Sequence, residues 1–405
     1  MIPKINNQDI PYIRVGTDYF KVIEKPDRFG IIRRELKRWS KDIIRIDHYN
    51  DRSYLGKIPQ FDDFIIEPNN NGIDRIIGTC YNLYTPFPHK PEEGEWKWTR
   101  ILLEHVFGDQ IEAGMIYFKV LYEHPKQALP VLVLVSEDRQ TGKSTFLDWM
   151  NMLFGANMAM IDPDVIGSTF NAEYATSNII GIDETIIDKQ IAIEKIKSLA
   201  TKKFISVNQK HVSQFKIPFF GKIILASNNE DRFMKVDEKE IRFWVRKLGD
   251  PKNTNHNILN DMIEEIPAFL HHLTTLPPID FTKSRMVLTA EEIGNKYLVN
   301  VKEESKSGLY HELKEYIADW FNNRPSLTEI EAAPIDVKNQ FFRNNNQIGL
   351  KYLKNVLKNE LKLELQSLKR YIPFGEGDSK PGTPYLFKRV DFTGDTGDLK
   401  EELPF

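Results

Sequence analysis

The chain has 405 residues, 41% of them apolar and 28% charged, with a net charge of −3. That length serves two or three domains with sizeable cores, in the proportions of an ordinary globular protein. A lone cysteine, Cys80, excludes an internal disulfide and a cysteine-based zinc site. No apolar run approaches a membrane span, and Met1-Ile2-Pro3-Lys4 lacks a signal-peptide core. The expectation is therefore a reducing, cytoplasmic compartment without membrane partners.

In chain order, residues 12–23 and 64–66 read as short strands and the charged stretch 33–39 as helical. Arg33, Arg34, Lys37, Arg38 and Lys41 with Trp39 offer a DNA grip or a subunit collar, interrupted by Glu35 and Asp42. These first residues show no cluster of metal-binding carboxylates, so priming chemistry is not expected of them. From Trp98 the pattern turns helical, with Ile101, Leu102, His105 and Val106 at helix spacing and then Ile111, Met115 and Phe118. Continuous apolar runs follow at 131–135, 178–182 and 222–226, separated by helical patterns. Such runs indicate a parallel sheet buried on both faces, an α/β domain.

Beyond Pro277 and Pro278, the stripe Leu309, Leu313, Tyr316, Ile317, Trp320 and Phe321 predicts a helix. A shorter helix is expected at 335–342 and a longer one at 349–361, then strands at 368–374 and 385–390. Three helices and a hairpin make a winged-helix-like pattern, with Lys351, Lys354 and Lys358 on one face of the third helix as candidate DNA contacts. A solvated lysine face explains the same spacing. The domain reading is 1–95, an N-terminal α+β region; 96–280, the α/β domain; 281–390, the winged-helix-like domain; and 391–405, an acidic tail.

The chemistry-bearing residues sit at strand ends. After Val131-Leu132-Val133-Leu134-Val135 comes Thr141-Gly142-Lys143-Ser144-Thr145 and a helical pattern. A strand that delivers a loop onto a helix N-terminus presents backbone N–H groups and a dipole to phosphate. Gln140, Thr141, Gly142, Lys143, Ser144 and Thr145 are thus the candidate ATP contacts, with Lys143 toward the β- and γ-phosphates and Ser144 on Mg²⁺. The full pattern, G-x-x-x-x-G-K-[ST], lacks its first glycine; Glu137 stands there. The run 178–182 ends in Asp183 and Glu184, a carboxylate for the Mg²⁺ shell and a general base for water. The run 222–226 ends in Ser227 and Asn228, an amide able to orient water or sense the γ-phosphate. Between them lies a stretch rich in lysine, with Lys195, Lys197, Lys202, Lys203, Lys210 and Lys216 against Glu194 alone.

In their order, these motifs resemble the superfamily 3 helicases, the AAA+-like motors of small viruses, phages and mobile elements, and most nearly phage and plasmid primase–helicase proteins. Phe170-Asn171-Ala172-Glu173 before the acidic strand, Ile196 to Thr201 followed by Val207 to Lys210, and Asp237 to Phe243 add to the likeness. The resemblance spans about residues 98–275. It implies an ATP-dependent DNA helicase that forms a homo-oligomeric, hexameric ring with ATP and Mg²⁺ between neighbours, in a bacterial or phage-infected cell. It further implies that Arg242 is the arginine finger, with Arg246 or Arg232 as alternatives. A hairpin bearing Lys210 and His211, with Lys202 and Lys203 at its base, would then track single-stranded or forked DNA.

A different class of reading remains: an ATP-regulated DNA-binding replication initiator or loader that does not unwind. A packaging ATPase is a third reading. The acidic end, Glu401-Glu402-Leu403-Pro404-Phe405, resembles the docking tips of bacterial single-stranded-DNA-binding proteins and suggests contact with replication proteins. A solvating tail has the same composition.

Overall fold

The structure, a computed structural model, describes residues 10–27, 30–51, 53–183, 190–208, 214–230, 233–236, 240–251, 255, 257–294, 296–345 and 347–393. The chain divides into two compact units, Met1–Glu304 and Ser305–Phe405.

The first unit is built on five strands: β1 (Val131–Val135), β2 (Met158–Met160), β3 (Ile179–Ile182), β4 (Lys222–Ser227) and β5 (Phe243–Lys247). Their order is β5-β1-β4-β3-β2, and every neighbouring pair is parallel. The uninterrupted apolar run of β1 has a direct cause. Val131, Val133 and Val135 enter one core with Ile180, Ile182, Ile223 and Leu225. Leu132 and Leu134 enter the opposite core with Ile179, Ile224 and Trp244. Side chains alternate across a strand, so a sheet covered on both sides needs apolar residues at every position.

Helices α1 (Lys97–Phe107), α2 (Ile111–Glu123), α3 (Lys143–Phe154), α5 (Ile258–Glu264) and α6 (Ile266–Thr275) cover the second face, through Leu103, Phe118, Trp149, Met262 and Phe269. On the first face α4 (Gln190–Leu199) contributes Ile193 and Ile196. The predicted helices beginning near Trp98 and Ile111 are α1 and α2.

The N-terminal strands Tyr12–Val15, Asp18–Pro26, Ile32–Arg38 and Gln60–Phe61 form a separate four-stranded sheet whose Ile13, Val15, Phe20 and Phe61 join that first core. Here the sequence expectation is corrected: the charged stretch 33–39 is not helical, since Ile32–Arg38 pairs antiparallel with Asp18–Pro26. Its charges are matched across strands, Glu35 with Lys25 at 3.0 Å and Arg38 with Asp18 at 2.7 Å. Opposite-charge cross-strand pairs favour the ladder as i,i+4 pairs favour a helix. Arg33 turns inward and donates to Asn151 Oδ1 at 2.7 Å and to the Met158 carbonyl, which ties this sheet to α3 and β2.

The second unit runs α7 (Gly308–Asn322), β6 (Glu329–Ala332), α8 (Pro334–Phe341), α9 (Leu350–Asn355) continuing into a π-helical turn at Val356–Glu360, then β7 (Glu364–Leu365), β8 (Lys369–Tyr371), β9 (Lys380–Gly382) and β10 (Tyr385–Lys388). β6, β10 and β7 form a three-stranded antiparallel sheet in that order, and β8 pairs with β9. Leu309, Leu313, Ile317 and Phe321 of α7 pack on Leu353, Val356 and Leu357 in a core of its own. Among the described residues, no helix is long and apolar enough to cross a membrane.

Candidate functional site

The site begins where β1 ends. Ser136 is buried, and its hydroxyl lies 2.9 Å from Thr141 Oγ1 and donates to the Asp138 carbonyl at 2.8 Å, which curls the segment 136–141 back on itself. Two residues take the left-handed backbone that this curl needs, Gln140 at φ 61° and Gly142 at φ 91°. Glu137 is not one of them, so the missing first glycine is not required by backbone conformation here. Gly142 then caps α3, and the N–H groups of its first turn point out of the helix end without intrahelical partners.

Lys143 is only 7% exposed. Its ammonium folds under the loop onto the Ser136 hydroxyl, with Thr141 Oγ1 at 3.3 Å and the Asp138 carbonyl at 3.4 Å. Burial pushes its pKa below the usual lysine range, and the nearby carboxylates of Asp183, Glu230 and Asp138 oppose that shift. A cation held among neutral oxygens at a helix N-terminus is poised to meet an anion.

Around this loop lies a cavity of about 1250 Å³. Arg139, Gln140, Thr141, Gly142, Lys143, Ser144 and Thr145 form one wall, and Asp183 and Asn228 form the next. Ile101, Leu102, Pro251 and Ile258 make an apolar side. The strand order explains the polar wall. β4 lies between β1 and β3, so Asn228, one residue beyond β4, stands between the phosphate loop and Asp183, one residue beyond β3. Glu184 lies outside the described residues. Among those that are described, no group of three or more His, Cys, Asp or Glu is arranged to hold a metal unaided. A second cavity, of about 640 Å³, is lined by Glu67, Asn82, Glu123, His124 and Lys126.

Several participants are invisible to motif reading. His105 on α1 lies with Nε2 2.9 Å from the Thr141 carbonyl oxygen. Because that oxygen only accepts, the contact requires the Nε2–H form of the ring. The one sequence signal was a polar residue within the apolar stripe of α1. Ser136 and Glu230 are likewise placed only by folding; Glu230 accepts from the Glu137 backbone N–H at 3.0 Å.

The arginines separate. Arg242 precedes β5 at the N-terminal edge of the sheet, paired with Glu240 (Nε to Oε1, 2.6 Å) and donating to the Lys197 carbonyl at 2.7 Å. The loop of the same chain is at the opposite edge, beyond the five residues of β5 and so roughly 16 Å away. Arg246 is 5% exposed and held inside the unit by the Val106 carbonyl, Gln110 and Asp109, so a finger role for it is not compatible with this packing. Arg232 lies outside the described residues.

The lysine-rich segment forms part of α4 and an antiparallel hairpin, Phe204–Val207 with Phe215–Pro218. Lys202 and Lys203 are exposed at its base, whereas Lys210 and His211 are outside the described residues. Lys197 is buried and paired with Glu194 at 3.5 Å, which removes it from the basic surface. In the second unit, Lys351, Lys354 and Lys358 are exposed opposite buried Leu353, Val356 and Leu357. The tail beyond residue 393 is outside the description.

Comparison with known proteins matches a family model, "Family of unknown function (DUF5906)", over residues 134–243. That match runs from the end of β1 to the start of β5. No curated protein matches. Three solved structures resemble almost the whole chain. An apo structure of the NrS-1 C-terminal region has a TM-score of 0.65 at 13% identity, covering 93% of this chain and 95% of that one. Two structures of its A form give TM-scores of 0.62, at 14% and 15% identity, covering 92% and 91% of this chain and 95% and 94% of theirs. The fold is shared. At these identities the likeness concerns the backbone arrangement alone.

Proposed function

We propose that this chain is an ATP-hydrolysing, ring-forming DNA helicase of the AAA+-like, superfamily 3 kind, serving the replication of a phage or mobile element. The observation that carries the reading is the convergence of Lys143, Ser144, Asp183 and Asn228 on one cavity at the C-terminal ends of three adjacent parallel strands. Ligands of open α/β sheets bind at that edge. In this reading, the N–H groups of residues 140–145 and the Lys143 ammonium hold the phosphates, and Ile101, Leu102 and Ile258 receive the base. Ser144 and Asp183 fit Mg²⁺, which takes one or two protein oxygens and completes its shell with phosphate and water. Mg²⁺ would neutralise charge on the leaving phosphates. Glu184 would take the proton of the attacking water, and Asn228 would orient that water.

Arg242 serves the neighbouring subunit's site, which implies the ring, and the hairpin 204–218 grips the DNA strand. The domain reading 1–95, 96–280, 281–390 and 391–405 and the docking role of the acidic tail belong to the same proposal.

An ATP-regulated initiator or loader is the second reading. In its favour, the second unit follows α7, β6, α8 and α9 with four short strands, β7 and β10 joining β6 in one sheet and β8 and β9 forming a ribbon, and it carries the exposed row Lys351, Lys354 and Lys358 that a winged-helix reading would set against DNA.

One experiment tests the main reading: ATPase rate with and without single-stranded DNA, and unwinding of a forked duplex, for the wild type and Lys143→Ala. DNA-stimulated hydrolysis and unwinding, both abolished by Lys143→Ala, are expected. Hydrolysis without unwinding by a folded oligomer would favour the initiator. Full hydrolysis by Lys143→Ala would remove the loop from the mechanism.

A further inference from the structure

The phosphate loop departs from its pattern at Glu137, and the structure places two charged side chains there. The Glu230 carboxylate accepts from the Glu137 backbone N–H at 3.0 Å through Oε1, while its Oε2 pairs with the Lys247 ammonium. Glu230 lies just beyond β4, Lys247 is the last residue of β5, and β1 runs between those two strands. The pair therefore reaches over the exit of β1 and closes on the root of the loop. Beneath it, the sheet ladder ends at the same level, with Ser136 N–H to the Ser227 carbonyl at 3.2 Å and Leu248 N–H to the Val135 carbonyl at 2.9 Å.

We propose that Glu230 and Lys247 form a strut that fixes the phosphate loop at Glu137, in place of the glycine turn, and that Glu230 is thereby a positioning residue for nucleotide phosphate. The inference rests on the ATPase reading of this cavity and adds residues that no motif contains. Wrapping a phosphate requires several backbone N–H groups aimed together, and a loop that must first be ordered forfeits affinity. A charge-assisted hydrogen bond to the loop's own backbone supplies that order. The side chain of Glu230 is 12% exposed, so its carboxylate is a fixed acceptor, while Lys247, 40% exposed, holds it from the solvent side. Glu137 also acts on Lys247: its carboxylate joins the Glu230 contact in raising the lysine pKa. The side chain that displaced the glycine thus contributes to the device that replaces it.

The test is nucleotide binding, with fluorescent ADP and Mg²⁺, together with steady-state ATPase, for wild type, Glu230→Ala, Glu230→Gln, Lys247→Met and Lys143→Ala. Glu230→Ala is expected to raise the Kd for ADP and the KM for ATP about tenfold, the scale of a lost hydrogen bond to a charged group. Its kcat should stay within about twofold. Glu230→Gln keeps an acceptor for the Glu137 N–H and should recover most of the loss; Lys247→Met should fall between. Wild-type affinity in Glu230→Ala, or a Glu230→Gln as impaired as Glu230→Ala, overturns the strut. If Glu230→Ala does not fold, wild-type affinity in Lys247→Met overturns it instead. A wild type that binds no nucleotide overturns the ATPase reading and the strut together; binding lost only in Lys143→Ala leaves the former standing and removes the latter.

Discussion

Lys222 opens β4 at the edge of the sheet away from the phosphate loop, 3% exposed, with its amine donating to Asn178 Oδ1 at 3.1 Å and to the Pro125 carbonyl. Burial lowers its pKa to about 7. The unfolded chain keeps this proton up to about pH 10.4 while the folded chain releases it above about 7, so between those values the unfolded state binds more protons and stability rises with pH. Urea unfolding of wild type and Lys222→Met at pH 6 and pH 9 should show the wild type gaining on the variant as pH rises, by up to ~1.4 kcal/mol per pH unit above 7. A pH-independent difference would mean that the amine stays charged in the fold. Two arginines at the edge strand β5, Arg242 just before it and Arg246 within it, call for different expectations. Arg246→Ala leaves the Val106 carbonyl and Gln110 without their donor, its charge partner Asp109 being solvent-exposed, and should lower stability by about 1–3 kcal/mol. Arg242→Ala, by contrast, strands the buried Glu240 carboxylate with backbone donors alone and should lower the melting temperature as well as abolish ATP turnover. Asp183 and Asn228 were legible as neighbours in one cavity because each lies just beyond an uninterrupted apolar run, and Lys143 because Gly142-Lys143-Ser144 opens the helix that follows such a run. His105, Ser136 and Glu230 were not, because their partners, the Thr141 carbonyl, the Thr141 hydroxyl and the Glu137 N–H, are met only through folding.

Elements with one dominant physical cause were the easiest to read. The apolar runs of β1, β3 and β4 have the length and continuity of strands buried on both faces, and the stripe from Leu309 to Phe321 has the spacing of a helix covering one core. Residues 33–39 went the other way because their charges suit a helix and a two-stranded ribbon equally, and, although residues 12–23 read as strand, nothing in 33–39 pointed to Asp18–Pro26 as its partner. β6 was missed because glutamates interrupt its apolar residues, although Ile330 and Ala332 are buried on either side of half-buried Glu331. The ribbon makes its own test. Glu35 contacts Lys25 across the ladder, so Glu35→Lys sets like charges side by side and should destabilise by about 0.5 kcal/mol, and Lys25→Glu in the same chain should restore the loss. A double-mutant cycle in urea measures this coupling; a value of zero would show that the pair does not hold the ribbon.

At the scale of the whole molecule, the division at residue 304 separates the two surfaces proposed to meet DNA, the hairpin and the lysine row. The second unit has its own apolar core, so residues 305–405 expressed alone should fold and bind duplex DNA through Lys351, Lys354 and Lys358. Replacing all three by glutamate should weaken binding and reduce the slope of log K against log salt by up to about 0.9 per lysine that meets a phosphate; an unchanged slope would make the row a solvated face. The position of Arg242 leads to the most demanding expectation. It cannot reach the phosphate loop of its own chain, because β5 lies between them, and its guanidinium rests on Glu240. If it acts, it acts on a neighbour. Arg242→Ala and Lys143→Ala should each abolish hydrolysis alone, yet mixing them should restore part of it. In a mixed ring, some interfaces pair the intact loop of an Arg242→Ala subunit with the intact arginine of a Lys143→Ala subunit. ATPase rate against mixing ratio should pass through a maximum near equal proportions. A curve that stays flat at the level of the single variants, in mixtures shown to assemble together, would assign hydrolysis to a site completed within one chain and leave Arg242 as the partner of Glu240.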